Sequence, residues 1–163
     1  MGERAAEQAR RNRVFLVVVD DSAERAVALK YASLRAAKSG GRVALLRVIE
    51  PVEQTEWANI GAMMAAEQRE TAEALLAGLG AQVREITGGI PVLITREGKL
   101  AEELLTLLEE DPGISILVLA SEANAKGPGP LITALTGRLA ARMRVPMTVV
   151  PGSMSDAELD RVT

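Results

Sequence analysis

The stretch from Ile114 to Gly152 constrains this chain more than any other. It begins with Ile114-Ser115-Ile116-Leu117-Val118-Leu119-Ala120, an apolar run too continuous for a sheet with one wet face. A polar loop follows through Lys126-Gly127-Pro128-Gly129-Pro130, and an apolar-periodic segment then extends to Met143. Pro146-Met147-Thr148-Val149-Val150-Pro151-Gly152 closes the unit. The pattern predicts strand, loop, helix, strand, with the strands covered on both faces. A Gly-rich loop between a buried parallel strand and a helix is where α/β folds place anions. Unpaired main-chain N–H groups and the helix dipole both favour negative charge there.

The rest of the chain repeats this alternation. Val14-Phe15-Leu16-Val17-Val18-Val19 is a second continuous run and reads as a central strand. Asp20-Asp21-Ser22 stops it. Ser22 is the expected N-cap of a helix running to about Lys38, with Val27, Ala28, Tyr31 and Leu34 inward. Ser39-Gly40-Gly41 ends that helix. Arg42 to Ile49 is the second strand, closed by Glu50-Pro51, and a loop then carries Trp57. A long helix is expected over about 58–84, with Met64, Ala72, Leu75, Leu76, Leu79 and Val83 on one stripe. Gly61, Gly78 and Gly80 weigh against its being unbroken. Ile90 to Thr95 is the third strand, and Pro91 assigns it to an edge or a strand start. A helix over about 99–110 buries Leu100, Leu104, Leu107 and Leu108, and Asp111-Pro112-Gly113 stops it. Alternation of this kind means an α/β fold, a parallel sheet with helices on both faces.

At 163 residues one domain is expected. Residues 1–12 read as a charged arm, 13–152 as the domain, and 153–163 as a tail whose Ser155 and Glu158 fit a capping box. Arg10-Arg11-Asn12-Arg13 reads as a solvated flank. The chain has no Cys and no His. That excludes disulfides, thiol chemistry, zinc held by nitrogen or sulfur, and histidine-based catalysis. Aromatic residues are 2% of the chain and the net charge is −3, with no basic stripe. Nucleic acid, which needs stacking platforms or a basic face, is therefore not an expected partner. The N-terminus has no apolar signal-like core and no run could span a bilayer, so a cytoplasmic protein with no membrane contact is expected.

Two places invite a binding role. Asp20 ends the first strand, where open α/β sheets hold ligands and where a carboxylate can accept from a ribose hydroxyl. The alternative is an ordinary turn, and Asp21 beside it is weaker still. A phospho-receiver would need a third carboxylate ending the third strand and a lysine ending the fifth; here the third strand is expected to end at Thr95, ahead of Arg96-Glu97, and the fifth ends Val150-Pro151. The second place is the loop itself, where Lys126, Gly127 and Gly129 could cradle an anion or form a structural turn. The last strand, bracketed by Pro146 and Pro151, is either a protected edge or a pairing strand between two copies. Met147, Thr148, Val149 and Val150 would lie in that interface.

From about Arg13 to Gly152 the chain resembles the universal stress proteins, of the UspA-like kind. The resemblance lies in Val18-Val19-Asp20 with Ser22, in Leu45-Leu46-Arg47-Val48-Ile49-Glu50-Pro51, and in Arg96-Glu97-Gly98 before Ala101-Glu102-Glu103-Leu104. Ile116 to Ala120 and Val145 to Pro151 complete it. The resemblance implies a five-stranded parallel sheet in the order 3-2-1-4-5, in three layers, and dimers through the fifth strand. Family members that bind ATP carry Gly-x2-Gly-x9-Gly-Ser/Thr from the end of the fourth strand. The corresponding positions here are Ala120, Ala123, Thr133 and Ala134, so the glycines and the final hydroxyl are missing. By the resemblance, Asp20 and Val48 fall where binders contact ribose and adenine. The expectation is a non-catalytic, dimeric binding or signalling module of the stress response, with possible protein partners, without metal and without standard ATP binding. The alternative is a binder of ATP or another anionic nucleotide, with Gly127, Gly129 and the hydroxyls of Thr133 or Thr136 forming a variant cradle.

Overall fold

The computed structural model describes residues 2–51, 58–124 and 126–163. The loop residue Trp57 lies outside them. In chain order the elements are α1 (Gly2–Arg11), β1 (Val14–Val18), α2 (Arg25–Ser39), β2 (Arg42–Ile49), α3 (Ala58–Thr87) and β3 (Val92–Glu97). Then come α4 (Leu100–Glu110), β4 (Ile114–Ser121), α5 (Pro130–Thr136), a 3-10 turn (Ala140–Arg142), β5 (Met147–Pro151) and α6 (Asp156–Val162). The five strands form one sheet in the order β3-β2-β1-β4-β5, and every pairing is parallel.

The apolar runs explain the layering. Alternate residues of a strand point to opposite faces. Phe15, Val17 and Val19 face one side of the sheet, where α2, α3 and α6 pack through Ala32, Leu76 and Leu159. Leu16 and Val18 face the other, against Leu104 and Leu108 of α4 and Ile132 and Leu135 of α5. With so few aromatics, aliphatic side chains fill both cores. Ser33 is the one buried polar side chain among the described residues, and its hydroxyl donates to the Leu29 carbonyl at 2.7 Å. No helix among the described residues is long and apolar enough to cross a membrane.

Several local expectations shift. Helix α2 starts at Arg25 after an N-cap at Glu24, not at Ser22. Ser22 is diverted: its N–H and hydroxyl both donate to Asp20 Oδ1, at 2.9 and 2.6 Å. Its buried face centres on Ala28, Leu29, Ala32 and Ala36, while Val27, Tyr31 and Leu34 are half-buried. Helix α3 runs unbroken to Thr87. The cost of a mid-helix glycine, about 1 kcal/mol, is outweighed by its buried Ala72, Leu76, Leu79 and Val83. Met64 does not join that stripe and is exposed. Strand β3 begins at Val92, two residues past the expected start, because Pro91 offers no N–H to the ladder; it is an edge, as Pro91 predicts. The helix expected to reach Met143 ends at Thr136, where Gly137 interrupts it, and only the short 3-10 turn follows. The arm is helical, and the tail carries the expected capping box between Ser155 and Glu158.

Candidate functional site

The order of the strands creates a switch point. From β1 the chain builds outward through β2 and β3, then returns to place β4 on the other side of β1. The carboxyl ends of β1 and β4 therefore diverge into a crevice, the usual ligand position in such sheets. Asp20 follows β1 and Ala120 lies near the end of β4, so both reach it.

Among the described residues, two clefts open there. The larger, of about 560 Å³, lies between the ends of β1 and β2 and the flank of α3. Val48, Met64, Leu75 and Leu100 give it an apolar floor, and Asp20, Asp21, Glu50 and Glu67 stand around it. Its one cation among the described residues, Arg47, donates to Asp21 Oδ1 at 2.9 Å and to the Val19 carbonyl at 3.1 Å. The smaller cleft, of about 210 Å³, lies between β1, β4 and the start of α5. Asp20, Arg25, Ala120, Glu122, Gly129 and Ile132 are among its walls. Arg25 is tethered, donating to the Asp20 carbonyl at 2.8 Å. Among the described residues carboxylates thus outnumber cations in both clefts, and the cations present are held by protein acceptors.

Of the residues singled out from sequence, the structure brings Asp20 and Val48 into the larger cleft and Asp20, Ala120 and Gly129 into the smaller. Lys126, Gly127, Thr133 and Thr136 line neither. Lys126 and Gly127 are exposed on the loop. Gly129 has φ +93°, which a side chain would strain, and it leads directly into Pro130 at the first helical position. The Thr133 hydroxyl donates to the Gly129 carbonyl and the Thr136 hydroxyl to the Ile132 carbonyl, both at 2.7 Å. Those protons are spent inside the helix. In β5, Met147 and Thr148 are half-buried, Val149 is exposed, and Val150 is buried against the core on the α2 face.

Glu24 is the contact that sequence reasoning missed. It is the N-cap of α2, but its side chain makes no capping hydrogen bond there. Its side chain instead crosses to the β4 loop, where Oε1 accepts the Ala123 N–H at 3.4 Å. Gly152 is what lets it pass, because a Cβ there would collide with the Ser121 carbonyl and with Glu24 itself. Arg47 did carry a signal, as a charge set inside the apolar part of β2; Glu24, Glu67 and Glu122 carried none. Among the described residues no group of three or more carboxylates is placed to hold a metal ion.

Comparison with known proteins agrees with this fold. A sequence model described as the universal stress protein family matches residues 11–151. No curated protein matches by sequence. Among solved structures, the universal stress protein UspA from Lactobacillus plantarum is similar at a TM-score of 0.70 and 15% identity, over 86% of this chain and 98% of that one. A universal stress protein family member from Burkholderia pseudomallei gives 0.64 and 20%, over 86% and 97%. A universal stress protein in complex with cAMP gives 0.62 and 15%, over 86% and 98%.

Proposed function

This chain belongs to the universal stress protein family and is a stress-response protein, and from that premise we propose that it works as a dimeric binding or signalling module, without catalysis, that does not hold ATP in the standard way. Residues 13–152 form the binding body in this reading, with 1–12 and 153–163 as appendages. The excess of carboxylates over cations in both switch-point clefts carries it. A triphosphate entering the smaller cleft would meet Asp20 and Glu122 with, among the described residues, only a tethered Arg25 to offset them, and like charges at close range disfavour binding. Two further features point the same way. Ala120 and Ala123 put a Cβ where close main-chain approach to phosphate favours glycine, and the Ala123 N–H is engaged by Glu24. Calorimetry with millimolar ATP-Mg tests the proposal. No binding that depends on the switch point is expected, so Asp20→Ala and Gly129→Val should leave any ATP response as it is in the wild type; saturable binding lost in both variants would overturn it.

A second reading is favoured by one observation, the structural relative solved with cAMP. A cyclic nucleotide brings far less negative charge than ATP, and the apolar floor at Val48 and Leu75 suits a base. Phosphate contact would then fall to the loop at Gly127 and Gly129. Binding of cAMP abolished by Gly129→Val would establish it, and an unchanged melting temperature with excess cAMP would remove it. The dimer is proposed along β5, whose exposed apolar side chain is Val149. Sedimentation of the wild type should give twice the chain mass, and Val149→Lys should yield the monomer. A wild-type monomer at high concentration would defeat the assignment.

A further inference from the structure

A third cleft lies away from the switch point, between α1 and the last turn of α2. It is open, with a volume of about 830 Å³. Among the described residues four cations line it from three separate segments: Arg11 of α1, Arg13 ahead of β1, and Arg35 and Lys38 of α2. Two carboxylates, Glu3 and Glu7, accompany them. Only Arg11 is paired, with Glu7 at 2.7 Å. Lys38 donates to two neutral acceptors on the tail, the Asp160 carbonyl and the Thr163 hydroxyl, each at 3.3 Å.

The guanidinium groups of Arg13 and Arg35 have neither an ion pair nor a hydrogen bond among the described residues, although both residues are half-buried. Capping of α2 does not account for them. The Ala36 carbonyl already accepts from the N–H groups of Gly40 and Gly41, and the Arg35 carbonyl accepts from the Ser39 hydroxyl at 2.7 Å. In a chain of net charge −3, a local excess of cations with unused donors is out of keeping with the whole. Helix α1 is polar, and its described side chains are exposed, so among the described residues it has no buried apolar face to fix it over the cleft.

We propose that this cleft binds a compact oligoanion carrying two or more phosphate groups, held chiefly by Arg13 and Arg35 with Arg11 and Lys38 at the rim. Guanidinium forks match phosphate oxygens in bidentate pairs. Among the described residues the cleft walls hold no aromatic side chain, so the phosphates are recognised and not a base. An anion bridging Arg11 to Arg35 also ties α1 to the body. The site is separate from the switch-point clefts and does not rest on the function proposed above.

The test is calorimetry and thermal unfolding of the full chain at low salt, with inorganic phosphate, tripolyphosphate and ATP as probes. Tripolyphosphate should bind and raise the melting temperature, roughly tenfold tighter than monophosphate, and added salt should weaken it. The double variant Arg13→Ala/Arg35→Ala should lose the response, with its unliganded melting curve checking the fold. Arg13→Lys/Arg35→Lys, which keeps charge without the fork, should retain a weakened response. ATP should behave as tripolyphosphate does, and its binding should vanish in the alanine double variant. No heat with tripolyphosphate in the wild type, or equal binding in the alanine variant, would overturn the site. ATP binding that survives there but disappears in Gly129→Val would overturn it too, and with it the absence of standard ATP binding at the switch point.

Discussion

Helix α2 joins two clefts of opposite character. At its first turn, around Asp20, Glu24 and Glu122, carboxylates prevail and the nearby cations Arg25 and Arg47 are already held. At its last turn, around Arg13 and Arg35, cations prevail and two of them are unclaimed. The first lies where an open α/β sheet ordinarily receives ligands; the second has no such topological warrant. The difference teaches that strand order locates a crevice, whereas the side chains around it determine which charges that crevice tolerates.

The largest effect should come from the sheet that both clefts share. Leu16 is fully buried against α4 and α5, and Leu16→Ala should cost about 3 kcal/mol, within the roughly 2–5 kcal/mol of core truncations. In urea the amides beside Asp20 and those beside Arg13 should open at one midpoint; separate midpoints would mean that the two ends are not parts of one cooperative body. A smaller, one-sided effect is expected from Gly152→Ala, whose Cβ would press on the Ser121 carbonyl and Glu24. It should destabilise by about 1–3 kcal/mol, with the tripolyphosphate response at the other end unchanged. Ser155→Ala removes the capping box of α6 and should cost about 1 kcal/mol. Because the tail supplies both acceptors of Lys38, hydrogen exchange should show α6 loosening before the sheet does.

The smallest effect contrasts a paired cation with the unclaimed ones. Arg142 reaches Glu102 at 2.7 Å and Glu109 at 3.3 Å. Its hydrogen bond, and then its charge, hold the Glu102 carboxyl below the ordinary value of 4.5. The contact is complete above the ordinary carboxylate range and is lost as pH falls through the lowered value. An NMR titration should show Glu102 returning towards the ordinary range in Arg142→Gln. An unmoved titration curve would mean that the pair is not formed in solution.

The sheet was legible because its strands are apolar runs that must be covered on both faces, and their alternation with amphipathic segments leaves few arrangements. Boundaries were less so. Ser22 has the chemistry of an N-cap, but the Asp20 carboxylate takes its N–H and hydroxyl first. The apolar period after Pro130 continues past Gly137, although the helix does not. At the switch point, Asp20, Val48, Ala120 and Gly129 were found because strand ends and glycine turns are marked in sequence. Glu24 was not, since its partner, the Ala123 N–H, is 99 residues away. Nor was the pairing of Arg13 with Arg35, because Arg13 stands in a charged segment that reads as flank until the fold brings α2 beside it.

The length of α2 has a consequence for engineering. Its 15 residues, rising 1.5 Å each, separate the two clefts by roughly 20 Å, well beyond the screening distance of about 8 Å at physiological salt. The helix acts as an insulating spacer. Charge edits at one terminus should add to edits at the other without cross-terms, so either pocket can be rebuilt for a new ligand while its counterpart serves as an internal control.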